Sequence, residues 1–193
     1  MMRSNDFLIV AGSVRALRRS PAIAEWVGDI GRELCDAGFQ VIDLRDLQLG
    51  LDDEPGVPAK GTYLCATTQA WSQLVEAATG VIIVTPQYNW GYPAALKNAI
   101  DHLHREWRDK PVLVVTYGAR GGDKCAAQLR EVLTGLGVRL TSSTPGLSLA
   151  RTRIEADDGD VDPEQDFKDQ RSAVEGGILE LVALSAEPER QAG

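Results

Sequence analysis

Residues 85–101 read TPQYNWGYPAALKNAID and join a predicted buried strand to a predicted helix. The strand is the apolar, β-branched run at 81–84, and Pro93 stands at the first position of the helix. The apolar positions of the helix follow at helical spacing: Leu96, Ala99, Ile100 and Leu103. The connection from 86 to 93 contains tyrosine, tryptophan and asparagine, where a simple turn would need only small residues. Such rings either cover another protein surface or hold a flat ligand, and this stretch alone leaves both readings open.

Length and composition predict one domain. The chain has 193 residues, of which 44% are hydrophobic, and this suffices for a complete core. We expect a single domain over residues 1–184 and a disordered tail over 185–193. The chain shows no run of 18 apolar residues and no signal sequence, so we expect no membrane span. Three separated cysteines, Cys35, Cys65 and Cys125, are typical of reduced thiols in a cytoplasmic protein.

The formal net charge of −8 is concentrated in one segment. Residues 155–169 hold eight acidic side chains against one lysine, and the rest of the chain is nearly neutral. We predict no nucleic-acid partner, because no basic face with interleaved aromatic residues appears. Aspartates alternate within this segment, but Pro163 and Asp169 stand where a calcium loop needs glycine and glutamate. His102 and His104 are two residues apart and cannot share a metal on one helix face, so we predict no metal site.

The first predicted strand, residues 7–11, leads into a loop that suits an anion. The loop reads GSVRALRRS over residues 12–20, and Ser20 is the predicted N-cap of the next helix. Free N–H groups at such a helix start favour an anion, and Ser13, Arg15 and Ser20 add donors. A surface loop with a capping serine and solvated arginines has the same composition, so the loop alone decides nothing. It carries neither Gly-x-Gly-x-x-Gly nor Gly-Lys-Ser/Thr, which argues against a dinucleotide fingerprint and a triphosphate loop.

Strands and helices alternate along the rest of the chain. Apolar runs predict strands at 40–44, 111–116 and 138–143. Helical spacing of apolar residues predicts helices at 66–78, around 126–133 and around 174–182. The strand at 111–116 is followed by YGARGG, whose glycines allow the backbone to approach a ligand closely.

This alternation predicts an α/β fold: a three-layer sandwich with a five-stranded parallel sheet in the order 2-1-3-4-5. In that order strands 1, 3 and 4 are neighbours. The loops that follow them therefore emerge side by side at the carboxyl ends of the strands, where such sheets bind ligands. One loop suits a phosphate, one a flat ring and one a close backbone approach. A phosphate joined to a planar ring system is flavin mononucleotide, FMN.

Three motifs, GSVR with Ser20, PQYNWGYPAALKNAID and YGARGG, resemble those of the NAD(P)H-dependent FMN reductase family of flavodoxin-like proteins. The similarity covers residues 6–150. The resemblance implies that the first motif holds the FMN phosphate, and that the second and third line the two sides of the isoalloxazine. The implied cofactor-binding residues are Ser13, Arg15, Ser20, Pro21, Ala22, Pro86, Gln87, Tyr88, Asn89, Trp90, Gly91, Tyr117, Gly118 and Ala119.

The resemblance also implies an activity. A hydride would pass from NADPH or NADH to N5 of the bound FMN, with no catalytic side chain, since the cofactor carries the chemistry. Electrons would then reach a second acceptor in a ping-pong reaction. The candidate acceptors are a free flavin, a quinone, an azo compound, a metal oxyanion and oxygen. A homodimer or homotetramer is implied as well.

Some features depart from the family pattern or leave alternatives open. Gln87 and Ala119 stand where the family often has glutamate and glycine, and Gln87 removes a charge near the ring. Arg18, Arg19 and Arg120 are either ligands for the 2′-phosphate of NADPH or solvated surface charges. Two other functions fit the same loops. One is a flavodoxin-like electron carrier, for which an acidic surface is natural, and the other is a protein that binds or senses FMN without turnover.

Overall fold

The computed structural model describes residues 6–51, 53–156 and 158–188. Its centre is a parallel sheet in the order β2-β1-β3-β4-β5, with β6 also paired to β4. Central strands are buried on both faces: Val10 lies beside Ile83, and Ile83 beside Val114. The strands are β1 (Phe7–Ala11), β2 (Phe39–Asp43), β3 (Gly80–Pro86), β4 (Pro111–Gly118), β5 (Arg139–Leu140) and β6 (Gly146–Ser148). The predicted fold class and strand order are confirmed.

Helices cover both faces of the sheet. They are α1 (Ser20–Leu34), α2 (Leu44–Leu47), α3 (Ala66–Ala77), α4 (Ala94–Asp101), α5 (Asp123–Gly135), α6 (Arg151–Ala156), α7 (Pro163–Asp166) and α8 (Arg171–Ala186). Alternate strand residues point to opposite faces. Ile9 and Ile82 pack with α1 and α8, whereas Leu8 and Val81 pack with α3, α4 and α5. The two cores make the predicted three-layer sandwich.

The predicted fifth strand, residues 138–143, is divided in the structure. β5 pairs with β4 only at Arg139 and Leu140, the chain then leaves the sheet, and β6 rejoins β4 beside Thr116. The described residues therefore form six strands rather than five. Pro145 lies in the interruption, and proline has no N–H to donate to a ladder. The apolar pattern could not show this break, because it depends on how 141–145 meets α8.

The carboxylate of Glu180, in α8, binds the segment that connects β5 to β6. Glu180 Oε1 accepts a hydrogen bond from Ser142 N at 2.5 Å, and Glu180 Oε2 accepts bonds from Ser143 N at 3.2 Å and Ser143 Oγ at 2.9 Å. Burial alone would raise the pKa of Glu180, but these hydrogen bonds lower it to about 2.

Glu180→Gln is expected to lower the free energy of unfolding by about 1 kcal/mol at neutral pH. The pKa is depressed in the folded state, so the stabilisation is present above the unfolded-state pKa of about 4.3. It is lost as the pH falls towards 2. Urea unfolding of both proteins from pH 2 to 7 measures this, with Glu25→Gln, an exposed carboxylate of α1, as control. A difference that persists unchanged to pH 2 would contradict the prediction.

Two ends of elements differ from the expectations. α4 ends at Asp101, so His102 and His104 lie beyond the helix rather than on it. The predicted tail at 185–193 begins inside α8, which continues to Ala186, and residues 189–193 lie outside the described residues.

Candidate functional site

The loops after β1, β3 and β4 meet at the carboxyl edge of the sheet and enclose a cavity of about 670 Å³. Small-molecule and cofactor sites commonly measure about 300–1,000 Å³. The cavity lies beside the β1/β3 point at which the strand order reverses, where parallel sheets bind ligands. It is lined by residues 15–19, 86–88 and 117–119, with Leu149 and Ile154.

Ser13 and Arg15 join the first loop to the second. Ser13 Oγ, which is fully buried, lies 2.7 Å from Tyr88 Oη, and the guanidinium carbon of Arg15 lies 3.7 Å from the centroid of the Tyr88 ring. The loop starts at Gly12, whose N–H donates to Val84 O at 2.9 Å. A Cβ at Gly12 would lie 3.2 Å from that oxygen, so the close approach favours glycine. The Tyr88 ring is thus held at its hydroxyl and on its face.

A second serine–tyrosine pair lies deeper in the protein. Ser20 Oγ is 2.7 Å from Tyr117 Oη, and both residues are buried. Burial raises the pKa of Tyr117 well above its usual range, so the phenol stays protonated at neutral pH. The predicted capping role of Ser20 is wrong. Arg19 occupies the N-cap position of α1, and Ser20 is the first helical residue, with its hydroxyl bonded to Tyr117.

Gln87 joins the second loop to the start of α5. Its Oε1 accepts hydrogen bonds from Lys124 N at 3.1 Å and Cys125 N at 3.0 Å. These are two of the amides that a helix start leaves without helical partners. Its own N–H donates to Tyr117 O at 3.0 Å. Cys125 is fully buried, and burial raises the pKa of its thiol to about 12, so it is a neutral packing residue.

The tip of the aromatic loop is a tight turn. Tyr88 and Gly91 exchange two backbone hydrogen bonds, of 2.8 and 2.9 Å. Asn89 and Trp90 have φ values of 47° and 74°, in the left-handed region that is uncommon for tryptophan. Trp90 is 67% exposed, and Lys124 Nζ lies 5.7 Å from its ring centroid.

The predicted site residues occupy three kinds of position. Those that line the cavity are Arg15, Pro86, Gln87, Tyr88, Tyr117, Gly118 and Ala119. Ser13 and Ser20 do not line the cavity, but they are hydrogen-bonded to Tyr88 and Tyr117, which do. Pro21 and Ala22 are in the first turn of α1. Asn89, Trp90 and Gly91 form the turn and are not among the lining residues.

Sequence reasoning missed four apolar residues of the lining, which are Ala16, Leu17, Leu149 and Ile154. Two arginines also line the cavity but are engaged within the chain. Arg18 pairs with Asp43, and Arg19 Nη2 donates to Arg153 O at 2.6 Å. The only signal for Ile154 was a lone apolar residue in a polar stretch, which by itself indicates nothing.

Neither histidine lines the cavity. His102 is buried, with Nδ1 2.9 Å from Thr68 Oγ1 and Nε2 2.8 Å from Gly50 O. Among the described residues, no group of three or more His, Cys, Asp or Glu is placed to hold a metal ion. None of the helices in this part of the chain is long and apolar enough to cross a membrane.

Comparison with known proteins identifies the family. The family model described as NADPH-dependent FMN reductase matches residues 6–150. The chain is 42% identical over 187 residues to an NAD(P)H-dependent FMN reductase of Schizosaccharomyces pombe, covering 95% of this chain and 92% of the relative. It is 41% identical over 193 residues to an NAD(P)H-dependent FMN reductase of Saccharomyces cerevisiae, covering 94% and 97%.

A solved structure shares the fold. The flavoenzyme NAD(P)H:(acceptor) oxidoreductase from Paracoccus denitrificans matches with a TM-score of 0.62 at 22% identity, covering 92% of this chain and 97% of that one. The family model spans all three loops that enclose the cavity. The chain therefore belongs to the NADPH-dependent FMN reductase family, whose members are oxidoreductases that work with FMN and NAD(P)H.

Proposed function

We propose that the cavity binds FMN and that the chain carries two electrons from NAD(P)H through this flavin to a second acceptor. The observation that carries the proposal is the meeting of three chemically different loops at one cavity. The overall reaction converts NAD(P)H, a proton and the oxidised acceptor to NAD(P)⁺ and the reduced acceptor. The acceptor classes are a free flavin, a quinone, an azo compound and a metal oxyanion.

The residues of the first loop suit the phosphate of FMN. Arg15 lines the cavity, and the 15-residue helix α1 begins directly after the lining residue Arg19. The positive end of the helix dipole and the N–H of Ala22 favour an anion there. Pro21 has no N–H, and the N–H of Ile23 already donates to Arg19 O at 3.1 Å. The hydroxyls of Ser13 and Ser20 each retain hydrogen-bonding capacity beyond the bond to tyrosine. We assign the phosphate to Ser13, Arg15 and Ser20, with the first turn at Pro21 and Ala22.

The second and third loops suit the flavin ring. A Cβ at Gly118 would meet only Gln87 Cβ, at 3.6 Å, which leaves open space beside the backbone. A planar ring needs such a space. Tyr88 and Tyr117 bound it with aromatic surface. We assign the ring to residues 86–89 and 117–119, with Trp90 and Gly91 at the rim.

FMN supplies two-electron transfer chemistry when it is bound. The role of the chain is to position the ring and the substrates. The N–H groups of Gln87 and Tyr88 are bonded within the chain, to Tyr117 O and Gly91 O. The N–H of Ala119, which lines the cavity, would stabilise negative charge on the ring side. No described side chain needs to act as a nucleophile. Donor and acceptor use the same open face in turn, so we expect ping-pong kinetics with parallel initial-rate lines.

The test of this function is an anaerobic titration of the FMN-supplemented protein with NADPH, followed by the visible absorbance of the flavin. We expect bleaching in one two-electron step, much faster than for free FMN. Reduction in two one-electron stages would favour an electron carrier. Bound FMN that neither NADPH nor NADH reduces would indicate a binding or sensing protein, and failure to bind FMN would refute the cavity assignment.

Gln87→Glu is expected to lower the reduction potential of the bound FMN by on the order of 30 mV, which is about 1.4 kcal/mol for a two-electron couple. The new carboxylate would keep the acceptor for the amides of Lys124 and Cys125 while it opposes negative charge on the reduced ring. Equilibrium titration against a reference dye measures the potential. Gln73→Glu adds the same charge on an exposed position of α3, outside the lining of the cavity, and is the control. An equal or higher potential for Gln87→Glu would count against the ring assignment.

We further propose that the chain assembles as a homodimer or homotetramer in the cytoplasm. Exposed apolar side chains, including Leu51, Val57 and Leu64, support an assembly. The free cysteines Cys35, Cys65 and Cys125 support a reducing compartment. Sedimentation equilibrium gives the assembly state, and a monomer at micromolar concentration would contradict the first part.

A further inference from the structure

The lining of the cavity extends beyond the range that matches the family. The matched range ends at residue 150, but Ile154 of α6 lines the cavity together with Leu149. The N–H of Leu149 donates to Gly118 O at 2.9 Å, so this part of the lining starts beside the third loop. We name residues 149–156 and 158–160 the outer wall. The three loops therefore share the cavity with a fourth segment.

Arg19 ties the outer wall to the first loop. Its Nη2 donates to Arg153 O at 2.6 Å and lies 3.5 Å from Asp158 Oδ1. Its Nε donates to Asp160 O at 3.0 Å, and the side chain is 12% exposed. Apolar packing contributes little here, since none of the residues of α6 is buried. The Nε and Nη2 donors of Arg19 are thus used by the outer wall, although Arg19 belongs to the loop assigned to the phosphate.

The acidic segment at 155–169 supplies the opposite charges. Besides the pair of Arg19 with Asp158, Arg153 Nη1 lies 3.3 Å from Asp160 Oδ2 and Arg153 Nε lies 3.2 Å from Asp166 Oδ1. Part of the negative charge of this segment is therefore paired within the chain, with the two arginines that hold the outer wall.

Gly159 brings the outer wall into contact with the first loop. Its φ of +78° lies in the left-handed region, and an added Cβ would lie 3.0 Å from Leu17 Cα. A side chain at this position is strained and also collides with backbone. The outer wall can lie against Leu17 only because residue 159 is glycine.

Two arginines of the first loop that line the cavity differ in what engages their charge. Arg15 is exposed, and its guanidinium carbon lies 3.7 Å from the Tyr88 ring centroid, a contact that leaves its positive charge unbalanced. The charge of Arg19 is balanced in part by Asp158. A phosphate needs an unbalanced cation, so Arg15 suits it and Arg19 does not.

We propose that the outer wall is a fourth part of the FMN site, and that Arg19 is a positioning residue that holds this wall and does not bind the phosphate. The inference rests on the proposed function, because it concerns the flavin assigned to the cavity. Leu17 and Ile154 line the cavity and are 57% and 37% exposed. A bound flavin that covers them removes apolar surface from water. This contribution to binding does not depend on the phosphate.

The first test compares the binding of FMN with that of riboflavin, which is FMN without its phosphate, by the quenching of flavin fluorescence. Arg19→Gln should weaken both ligands by about the same factor, on the order of tenfold. Arg19→Lys keeps the charge but not the planar fork of donors, so it should not restore the affinity. Arg15→Gln should weaken FMN by a larger factor than riboflavin. Arg45→Gln, at an exposed position of α2 outside the cavity lining, is the control.

The second test changes the outer wall without changing any charge. Gly159→Ala and Ile154→Ser should each weaken FMN and riboflavin by about fivefold to tenfold. Ile154→Leu keeps the apolar contact, and its affinity for FMN should stay within about twofold of the parent value. Gly137→Ala is the matched control for Gly159→Ala, because Gly137 has a φ of +76° but an added Cβ there has no neighbour within 4 Å.

A third measurement needs no flavin. Hydrogen exchange of the protein without FMN should be at least about fivefold faster at the amides of 151–156 in Arg19→Gln and in Gly159→Ala. The amides of α8 should exchange at the parent rate in both variants. Such a local change separates a displaced outer wall from a loss of overall stability.

Each result decides the inference. Equal weakening of FMN and riboflavin in Arg19→Gln, together with faster exchange at 151–156, supports it. Weakening confined to FMN would make Arg19 a phosphate ligand and overturn it. Unchanged FMN affinity in both Gly159→Ala and Ile154→Ser would also overturn it, while a parent protein that binds FMN and is reduced by NADPH keeps the proposed function. If the parent protein does not bind FMN, the proposed function fails and this inference falls with it.

Discussion

Gly118→Leu is expected to bind FMN on the order of 100-fold more weakly than the parent protein, a loss of about 2.7 kcal/mol. Gly118 ends β4 and lines the cavity, and a Cβ there would make one ordinary contact, with Gln87 Cβ at 3.6 Å. The leucine side chain therefore finds room only in the space assigned to the flavin ring. The fold offers it no steric conflict, so the midpoint of urea unfolding should not change.

The quenching of flavin fluorescence on titration of FMN with protein measures the affinity. Gly135→Leu is the matched control, since Gly135 ends α5 and an added Cβ there has no neighbour within 4 Å. FMN affinity that survives Gly118→Leu would place the ring elsewhere. A fall in the unfolding midpoint would show instead that the substitution disturbs β4.

Glu106→Ala is expected to lower the free energy of unfolding by about 2–4 kcal/mol. The Glu106 side chain is fully buried and accepts hydrogen bonds from Tyr63 Oη at 2.8 Å, Ser72 Oγ at 2.6 Å and Arg105 Nε at 3.1 Å. Removal of the carboxylate leaves these donors without their acceptor, two of them buried. The carboxylate also raises the pKa of Tyr63, which burial raises most strongly, to about 12.

Guanidinium unfolding of the two proteins measures the loss, and Glu76→Ala, an exposed carboxylate of α3, is the control. Burial would raise the pKa of Glu106, but the hydrogen bonds from Ser72 and Tyr63 lower it below its usual value. The stabilisation is therefore present above the unfolded-state pKa of about 4.3 and declines as the pH falls below it. The two proteins should differ most near neutral pH. A loss below about 1 kcal/mol at pH 7 would refute this role for Glu106.

The positions of the three loops were predictable from the sequence. Residues 7–11, 81–84 and 111–115 are continuous apolar runs, and such runs are typical of strands buried on both faces. Right-handed crossovers then allow few strand orders, and the structure has the expected one. The loops that follow neighbouring strands must emerge together, so the location of the cavity followed from local pattern.

The details of the site were not predictable, because they depend on contacts between distant segments. Ser20 is of a residue type, and at a position, that favour capping of a helix. Its hydroxyl is instead hydrogen-bonded to Tyr117, which is 97 residues away along the chain. The sequence left Arg18 and Arg19 as either ligands for the 2′-phosphate of NADPH or solvated charges, but Arg18 pairs with Asp43 and Arg19 donates to Arg153 O. A hydroxyl or guanidinium group forms a hydrogen bond with the nearest suitable group in the folded protein. The spacing of residues along the sequence does not show which group that is.

Local pattern was thus enough for the α/β class, the strand order and the edge of the sheet at which the cavity lies, because burial and chain connectivity dictate all three. Only the tertiary structure decided which side chains line the cavity. Ile154 reaches it because Arg19 and Gly159 hold α6 against the first loop, and Gln87 turns its amide to α5 because two free N–H groups lie there. Those placements depend on hydrogen-bond partners and close approaches that exist only once the chain is folded.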